Sequence, residues 1–230
     1  MLVFLRVPLL LVSLLLLAVL FPHVVVAQSG EITGLKVLNE QRNAAGDLVR
    51  TVQYYQNGKR VVETRIIRPV PLLNIPLDPD TLNQEYMMVV INKSRFVLDV
   101  YYRRTKVRSY KVVFGPKPAE NKMMKGDRRT PEGWFRVLEK HRSARYNKFV
   151  HLDYPNDSSY RRFAILKKKG LIPQDAEIGG DVGIHGVWKG GDNTIDMGVG
   201  WTDGCIALKN KDMDDLYDLL GVGARVLIRK

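Results

Sequence analysis

Two side chains in the C-terminal third of the chain have the types that acyl chemistry needs. His185 lies in Val182-Gly183-Ile184-His185-Gly186. Cys205 lies in Trp201-Thr202-Asp203-Gly204-Cys205-Ile206-Ala207-Leu208. A thiol attacks a carbonyl carbon well only as thiolate, and a free cysteine, with a pKa of about 8.5, is mostly protonated at neutral pH. An imidazole within reach can take that proton and later return it to a leaving amine. Gly204 frees the backbone beside the thiol, so the amides of Asp203, Gly204 and Cys205 could converge on a developing oxyanion; loss of one such donor typically costs about 10²–10³ in rate. Spacing alone leaves a bland reading open, in which the histidine is a satisfied core residue and the cysteine a small inert hydrophobe. On the chemical reading, acylation falls in acid as the pair gains protons.

The elements that would position this pair belong to an ordinary globular composition. The chain has 230 residues, 45% hydrophobic and 26% charged, with a net charge of +12. Such a balance excludes wholesale disorder, collagen and coiled coil. A single cysteine excludes an intrachain disulfide and any multi-cysteine metal site, and three histidines beyond the N-terminal segment make a histidine-rich zinc centre a poor fit. No metal and no cofactor is expected.

Arg6 is the only charge in the first 30 positions. An apolar stretch, Val7 to Leu20, follows it, and Val25-Val26-Ala27 supplies a small-residue exit. This pattern reads as a signal peptide over residues 1–27, with an uncleaved membrane anchor as the rival. Either way the rest is expected to be exported, to a periplasm or cell envelope. Removing Arg6 with residues 1–27 leaves 203 residues and a charge of +11.

Residues 28–68 are read as an N-terminal β-hairpin region. Leu48 to Tyr55 runs out, Asn57-Gly58 turns, and Val61 to Ile67 returns. Pro69, Pro71, Pro76 and Pro79 mark a proline-rich linker over 69–83. From residue 84 to 230 the signals are mainly those of strands: Met87–Ile91, Phe96–Tyr101 and Val107–Phe114 form a meander. Two stretches predict helices. Ser158–Lys169 opens behind Asn156-Asp157, and Lys211–Leu220 opens behind Asn210 with Met213, Leu216, Tyr217 and Leu220 on one face.

Ile184-His185-Gly186 followed by Thr202-Asp203-Gly204-Cys205-Ile206 resembles the signature of bacterial L,D-transpeptidases of the YkuD-like family. Gly126-Asp127-Arg128-Arg129-Thr130-Pro131-Glu132-Gly133 is similar to the family's Thr-Pro-x-Gly turn, and His151 to Asn156 to a segment of one branch. The resemblance covers roughly residues 86–228. It implies a mainly β catalytic domain, a mixed sandwich or barrel with two short helices, beside the small N-terminal hairpin module. It also implies Cys205 as nucleophile, His185 as base, the Gly186 carbonyl orienting the imidazole, and the 203–205 amides as oxyanion hole. The implied substrate is the peptidoglycan stem peptide, attacked between the L-centre of a diamino acid and a terminal D-residue. The thioester would pass to an amine, in a cross-link or an attachment to a wall-attached protein, or to water. One position departs from the pattern: many members carry arginine two residues after the cysteine, where this chain has Ala207. The change resembles a branch, Trp-Thr-x-Gly-Cys-Ile-Ala, that includes hydrolysing enzymes.

Three further readings complete the picture. Arg103, Arg104, Lys106, Arg108 and Lys111, with Lys122, Lys125, Arg128 and Arg129, suggest attraction to an anionic envelope rather than to nucleic acid, for which no motif is present. Gly190-Gly191 and Gly198 to Gly200 suggest a mobile loop over the site, with Trp188, Trp201 and Thr202 as candidate lining of a substrate groove. A non-catalytic wall-binding protein and a zinc peptidase remain as alternatives to the cysteine enzyme.

Overall fold

The computed structural model describes residues 32–67 and 73–230. The segment read as a signal peptide and residues 69–72 of the expected linker lie outside the described residues. Among those described, no helix is long and apolar enough to cross a membrane.

Alternation along the first hairpin decides how the N-terminal piece docks. In β2 (Leu48–Gln56), Val52, Tyr54 and Gln56 share one face, and all three are buried. Asn57 and Gly58 both take positive φ (52° and 72°), which the tight turn into β3 (Lys59–Ile67) requires. An unforeseen strand, β1 (Ile32–Arg42), pairs with the other edge of β2, so the expected hairpin is a three-stranded antiparallel sheet. Only Ile32 of β1 is buried, and two register irregularities interrupt it, so its sequence carries no inside–outside alternation to read.

The remaining strands form one eight-stranded sheet in the order β10-β9-β8-β7-β11-β4-β5-β6. The meander is β4 (Met87–Asn92), β5 (Val97–Tyr102) and β6 (Thr105–Lys111). β7 (Gly133–Ser143) and β8 (Asn147–Leu152) form a long antiparallel pair. β9 (Gly183–His185) and β10 (Ile206–Ala207) run parallel to each other, as do β4 and β11 (Arg225–Arg229). Just past β6, Val113 bridges Ala207 of β10, with amide bonds of 3.0 and 2.9 Å in the two directions. The two ends of the sheet therefore meet, and the sheet curls almost into a barrel. Residues 73–75 lie along β6: the amides of Ile75 and Ser109 bond the carbonyls of Val107 and Leu73, each at 3.0 Å.

Helix α1 (Asp157–Lys168) begins where its cap predicts, with the Asn156 side chain accepting from the Ser159 amide, and ends in Lys167 and Lys168, which suit the negative end of the helix dipole. Helix α3 (Asn210–Leu219) buries Met213, Leu216 and Leu219 against the main core. A third, short helix, α2 (Asp192–Asp196), sits inside the glycine-rich stretch expected to be an open loop. Thr194, Ile195, Val199 and Trp201 there are all buried. Ile195, Val199 and Trp201 join Val52 and Tyr54 of the N-terminal sheet in a second core that also holds Val113, Val187 and Ala207. The segment is packed between two sheets, because its apolar residues recur too closely for a solvated loop.

Candidate active site

Strand register brings the two candidate side chains to one end of the sheet. β9 and β10 pair in parallel with Ile206 beside Ile184 and Ala207 beside His185, and the Leu208 amide bonds the His185 carbonyl at 2.9 Å. Cys205, one residue earlier, therefore lies next to Gly183. Side chains two apart share a strand face, so the thiol and the imidazole stand on the same side as diagonal neighbours. Gly183 is required there, since a Cβ would run into the Phe149 ring and the Val150 carbonyl.

The imidazole is fixed in one tautomer. His185 Nδ1 lies 2.6 Å from the Gly186 carbonyl oxygen, which can only accept, so Nδ1 carries the proton and Nε2 presents a lone pair. A Cβ at Gly186 would strike Asn210 Oδ1 and the Tyr146 carbonyl. Asn210 braces the turn: its Oδ1 accepts from the Val187 amide at 2.9 Å, and its own amide is held by Asp192 Oδ1 at 2.9 Å. The ring stacks on Tyr146 (centroids 4.7 Å apart) and on Phe149 (5.7 Å), its register partner on β8, while Trp201 meets it edge-on at 5.5 Å. Burial in this aromatic cage drops the imidazole to about 4, although its bond to Gly186 works the other way.

Cys205 is only partly covered, yet burial of its surroundings pushes the thiol up to about 11. A hydrogen bond from the Gly183 backbone and the Lys122 ammonium pull it down, while the Asp203 and Asp181 carboxylates push it up. The thiol donates to the Asp181 carbonyl at 3.3 Å, from a loop residue in the left-handed region (φ 54°). The resting pair is thus a neutral thiol beside a neutral imidazole. With the imidazole drawn down to about 4, it gains its proton well below the ordinary histidine range, so the expected fall of acylation in acid would lie lower than for a free imidazole.

The turn before the cysteine is equally constrained. Gly204 has φ 135°, and a Cβ there would lie 2.7 Å from the Arg129 carbonyl and 3.8 Å from Lys122 Nζ. Thr202 Oγ1 donates to the Cys205 carbonyl at 2.7 Å and accepts from the Gly204 amide at 3.3 Å. Among the described residues no acceptor is recorded for the Asp203 and Cys205 amides. Two of the three expected oxyanion donors are therefore free, and the third is engaged within the turn.

The groove candidates divide. Trp188 is half-buried, but Trp201 and Thr202 are buried and cannot line a groove; Trp201 lies against the imidazole, and Thr202 ties the turn. Bulky aromatics beside a glycine-rich stretch look the same in sequence whether they face substrate or core. The basic loop is largely neutralised from within: Lys122 pairs with Asp127 (3.0 Å), Arg128 with Asp203 (3.0 Å), and Arg129 with Glu120 (2.5 Å). Arg108 likewise pairs with Asp215 at 2.8 Å. The sequence reading missed Tyr146, Phe149, Asp181 and the specific place of Lys122. None has a local signal, because each arrives through strand register or loop path. No group of three metal-ligating side chains occurs among the described residues.

No curated protein matches the sequence. Among solved structures the chain is similar to the helical cell shape determining protein Pgp2 of Campylobacter jejuni, with 22% identity, 63% of this chain and 47% of that one covered, and a TM-score of 0.47. It is also similar to an L,D-transpeptidase of Mycobacterium smegmatis (12% identity, 85% and 82% covered, TM-score 0.43) and to the L,D-transpeptidase of Enterococcus faecium (17%, 62% and 49%, 0.40). The chain spans about half the length of the Campylobacter and Enterococcus proteins. The YkuD description, L,D-transpeptidase catalytic domain, matches residues 86–228, more than half of the chain, and the protein belongs to that family.

Proposed function

We propose that this protein is an exported cysteine acyltransferase acting on peptidoglycan stem peptides, with Cys205 as nucleophile and His185 as base. The observation that carries this reading is the β9–β10 register. It sets the thiol and the Nε2 lone pair on one face, beside a turn with two unengaged amides. In the first half-reaction the thiol proton passes to Nε2 as sulfur attacks the carbonyl carbon of the diamino-acid L-centre. The oxyanion is held by the Asp203 and Cys205 amides. The C–N bond then breaks, the imidazolium returns the proton to the leaving D-amino acid, and a thioester remains. In the second half-reaction an amine or water attacks the thioester, loses its proton to His185, and the thiol is restored. Since a neutral pair must transfer its proton during attack, the imidazole acts as a general base rather than as half of a standing ion pair.

A second reading takes water as the acceptor: Ala207, fully buried in the second core, in register with His185 and bridged to Val113, stands where many family members carry arginine, and the branch it resembles includes hydrolysing enzymes. Incubation with purified sacculi followed by muropeptide analysis separates the two. New 3-3 links or protein release signify transfer, and trimmed stems signify hydrolysis. A carbapenem should add covalently to Cys205 on intact protein. No adduct, together with muropeptides identical for wild type and Cys205→Ala, would remove the proposal.

A further inference from the structure

The N-terminal sheet touches the polypeptide that carries the site at several points, and one buried polar contact bears on the turn before Cys205. Gln56, at the end of β2 and 7% exposed, donates from Nε2 to the Trp201 carbonyl at 2.9 Å. Arg128 donates from Nη2 to the same carbonyl at 3.2 Å and to Gln56 Oε1 at 3.2 Å, and from Nε to Asp203 Oδ1 at 3.0 Å. One side chain from the N-terminal sheet and one from the loop before the Thr-Pro turn thus converge on a single carbonyl, two residues before an expected oxyanion donor. The Trp201 ring, on the same residue, packs edge-on against His185.

Other contacts pin the approach to this turn. Arg50 Nη1 donates to the Asp196 carbonyl at 3.2 Å. Arg65, held by Glu63 at 2.8 Å, reaches so close to Gly200 that a Cβ there would lie 2.5 Å from Nη2. Ile67 covers Gly198, and Val52 and Tyr54 pack in one core with Ile195, Val199 and Trp201. A stretch that needs glycine at 198, 200 and 204 has little backbone stiffness of its own, so its shape must be imposed by its neighbours.

We infer that the N-terminal three-stranded sheet backs the oxyanion turn, and that Gln56 and Arg128 are positioning residues that set the direction of the Asp203 and Cys205 amides. Catalysis by such amides depends on their being aimed in advance at the place where charge develops, so a small rotation of the 201–203 peptides costs rate without removing any reacting group. The inference rests on the acyltransferase reading of the same site and gives residues 32–67 a role in it.

The test uses the full chain and two probes of Cys205. Carbapenem acylation, followed by intact mass, passes through a tetrahedral oxyanion; alkylation by iodoacetamide does not. Gln56→Met keeps the length and packing of the side chain and removes both hydrogen bonds. The limiting acylation rate should fall by about tenfold or more, the loss of one well-placed hydrogen bond or of part of an oxyanion donor. The carbapenem concentration at half-maximal rate and the alkylation rate should stay within about twofold of wild type, the scatter that an unaffected site shows. Arg128→Met should act in the same direction, and the double variant should lose less than the product of the two single losses, because both act on one carbonyl. Val62→Ser, at an exposed position of β3, controls for loss of sheet stability and should leave both rates unchanged. The inference is overturned if folded Gln56→Met acylates at the wild-type rate. It is also overturned if acylation and alkylation fall together, which would mark a general loss of structure. Wild type that alkylates but never acylates overturns the acyltransferase reading first, and this inference with it.

Discussion

Alkylation of Cys205 by iodoacetamide, followed against pH, distinguishes a resting neutral thiol from a resting thiolate–imidazolium pair. Burial pushes the thiol up to about 11 and the imidazole down to about 4, so both are uncharged between those limits. At pH 7.5 a thiol at about 11 is roughly three parts in 10⁴ thiolate, against roughly one part in ten for a free cysteine, a deficit of about 300-fold. The more basic thiolate is the better nucleophile, by about tenfold over a gap of about 2.5 units at a Brønsted slope of roughly 0.4–0.5. The net expectation is alkylation about 30-fold slower than free cysteine at pH 7.5, rising close to tenfold per pH unit up to about pH 10. The slope matters more than the absolute rate, since partial cover slows every pH point alike. Carbapenem acylation should follow a different course, level from about pH 5 to 9 and falling only as His185 gains a proton near 4. An alkylation profile with its inflection below pH 7, at rates above those of free cysteine, would refute the neutral pair and with it the assignment of His185 as a base at rest.

Three more expectations follow from the same geometry. Lys122→Met removes a cation that draws the thiol pKa down, so alkylation at fixed pH should slow several-fold while Lys122→Arg retains most of the rate; stopped-flow alkylation of the three proteins decides this. Gly183→Ala places a methyl group against the Phe149 ring and the Val150 carbonyl, and should destabilise the fold by about 1–3 kcal/mol in urea titration while slowing acylation. Stability should also fall as pH drops from about 6.5 to about 4. The unfolded imidazole takes a proton through that window and the folded one does not, at a cost of about 3 kcal/mol that His185→Phe should abolish in urea titrations across the range.

Legibility in the sequence depended on how local the signal was. The β2–β3 hairpin could be read because Asn57-Gly58 specifies its own turn, and α1 because Asn156 caps it. The ordered His185-Gly186 and Thr202 to Ile206 motif pointed to the pair, and the Gly186 carbonyl does hold the imidazole. What escaped was set by tertiary register. β1 is almost wholly exposed and shows no alternation, and α2 hides among glycines. The aromatic cage exists because β8 places Phe149 opposite His185 and the β7–β8 turn delivers Tyr146, neither of which has a sequence mark. The same cage draws the imidazole down to about 4, because a pKa reports surroundings that no spacing reveals. Trp201 stayed open for a related reason: a tryptophan beside such a motif serves equally as wall or foundation, and its burial marks it as foundation.

The hydrogen bond from the thiol to the Asp181 carbonyl bears on how long the sulfur lasts. Peroxide oxidation and disulfide exchange both proceed through the thiolate, so a cysteine kept protonated resists them. Cys205 is the only cysteine in the chain, and a sulfenic acid formed there would have no resolving partner within the molecule. On the proposed acyltransferase reading, a thiol that gives up its proton only during attack would suit the oxidising surroundings expected of an exported protein, where an ever-ready thiolate would soon be spent.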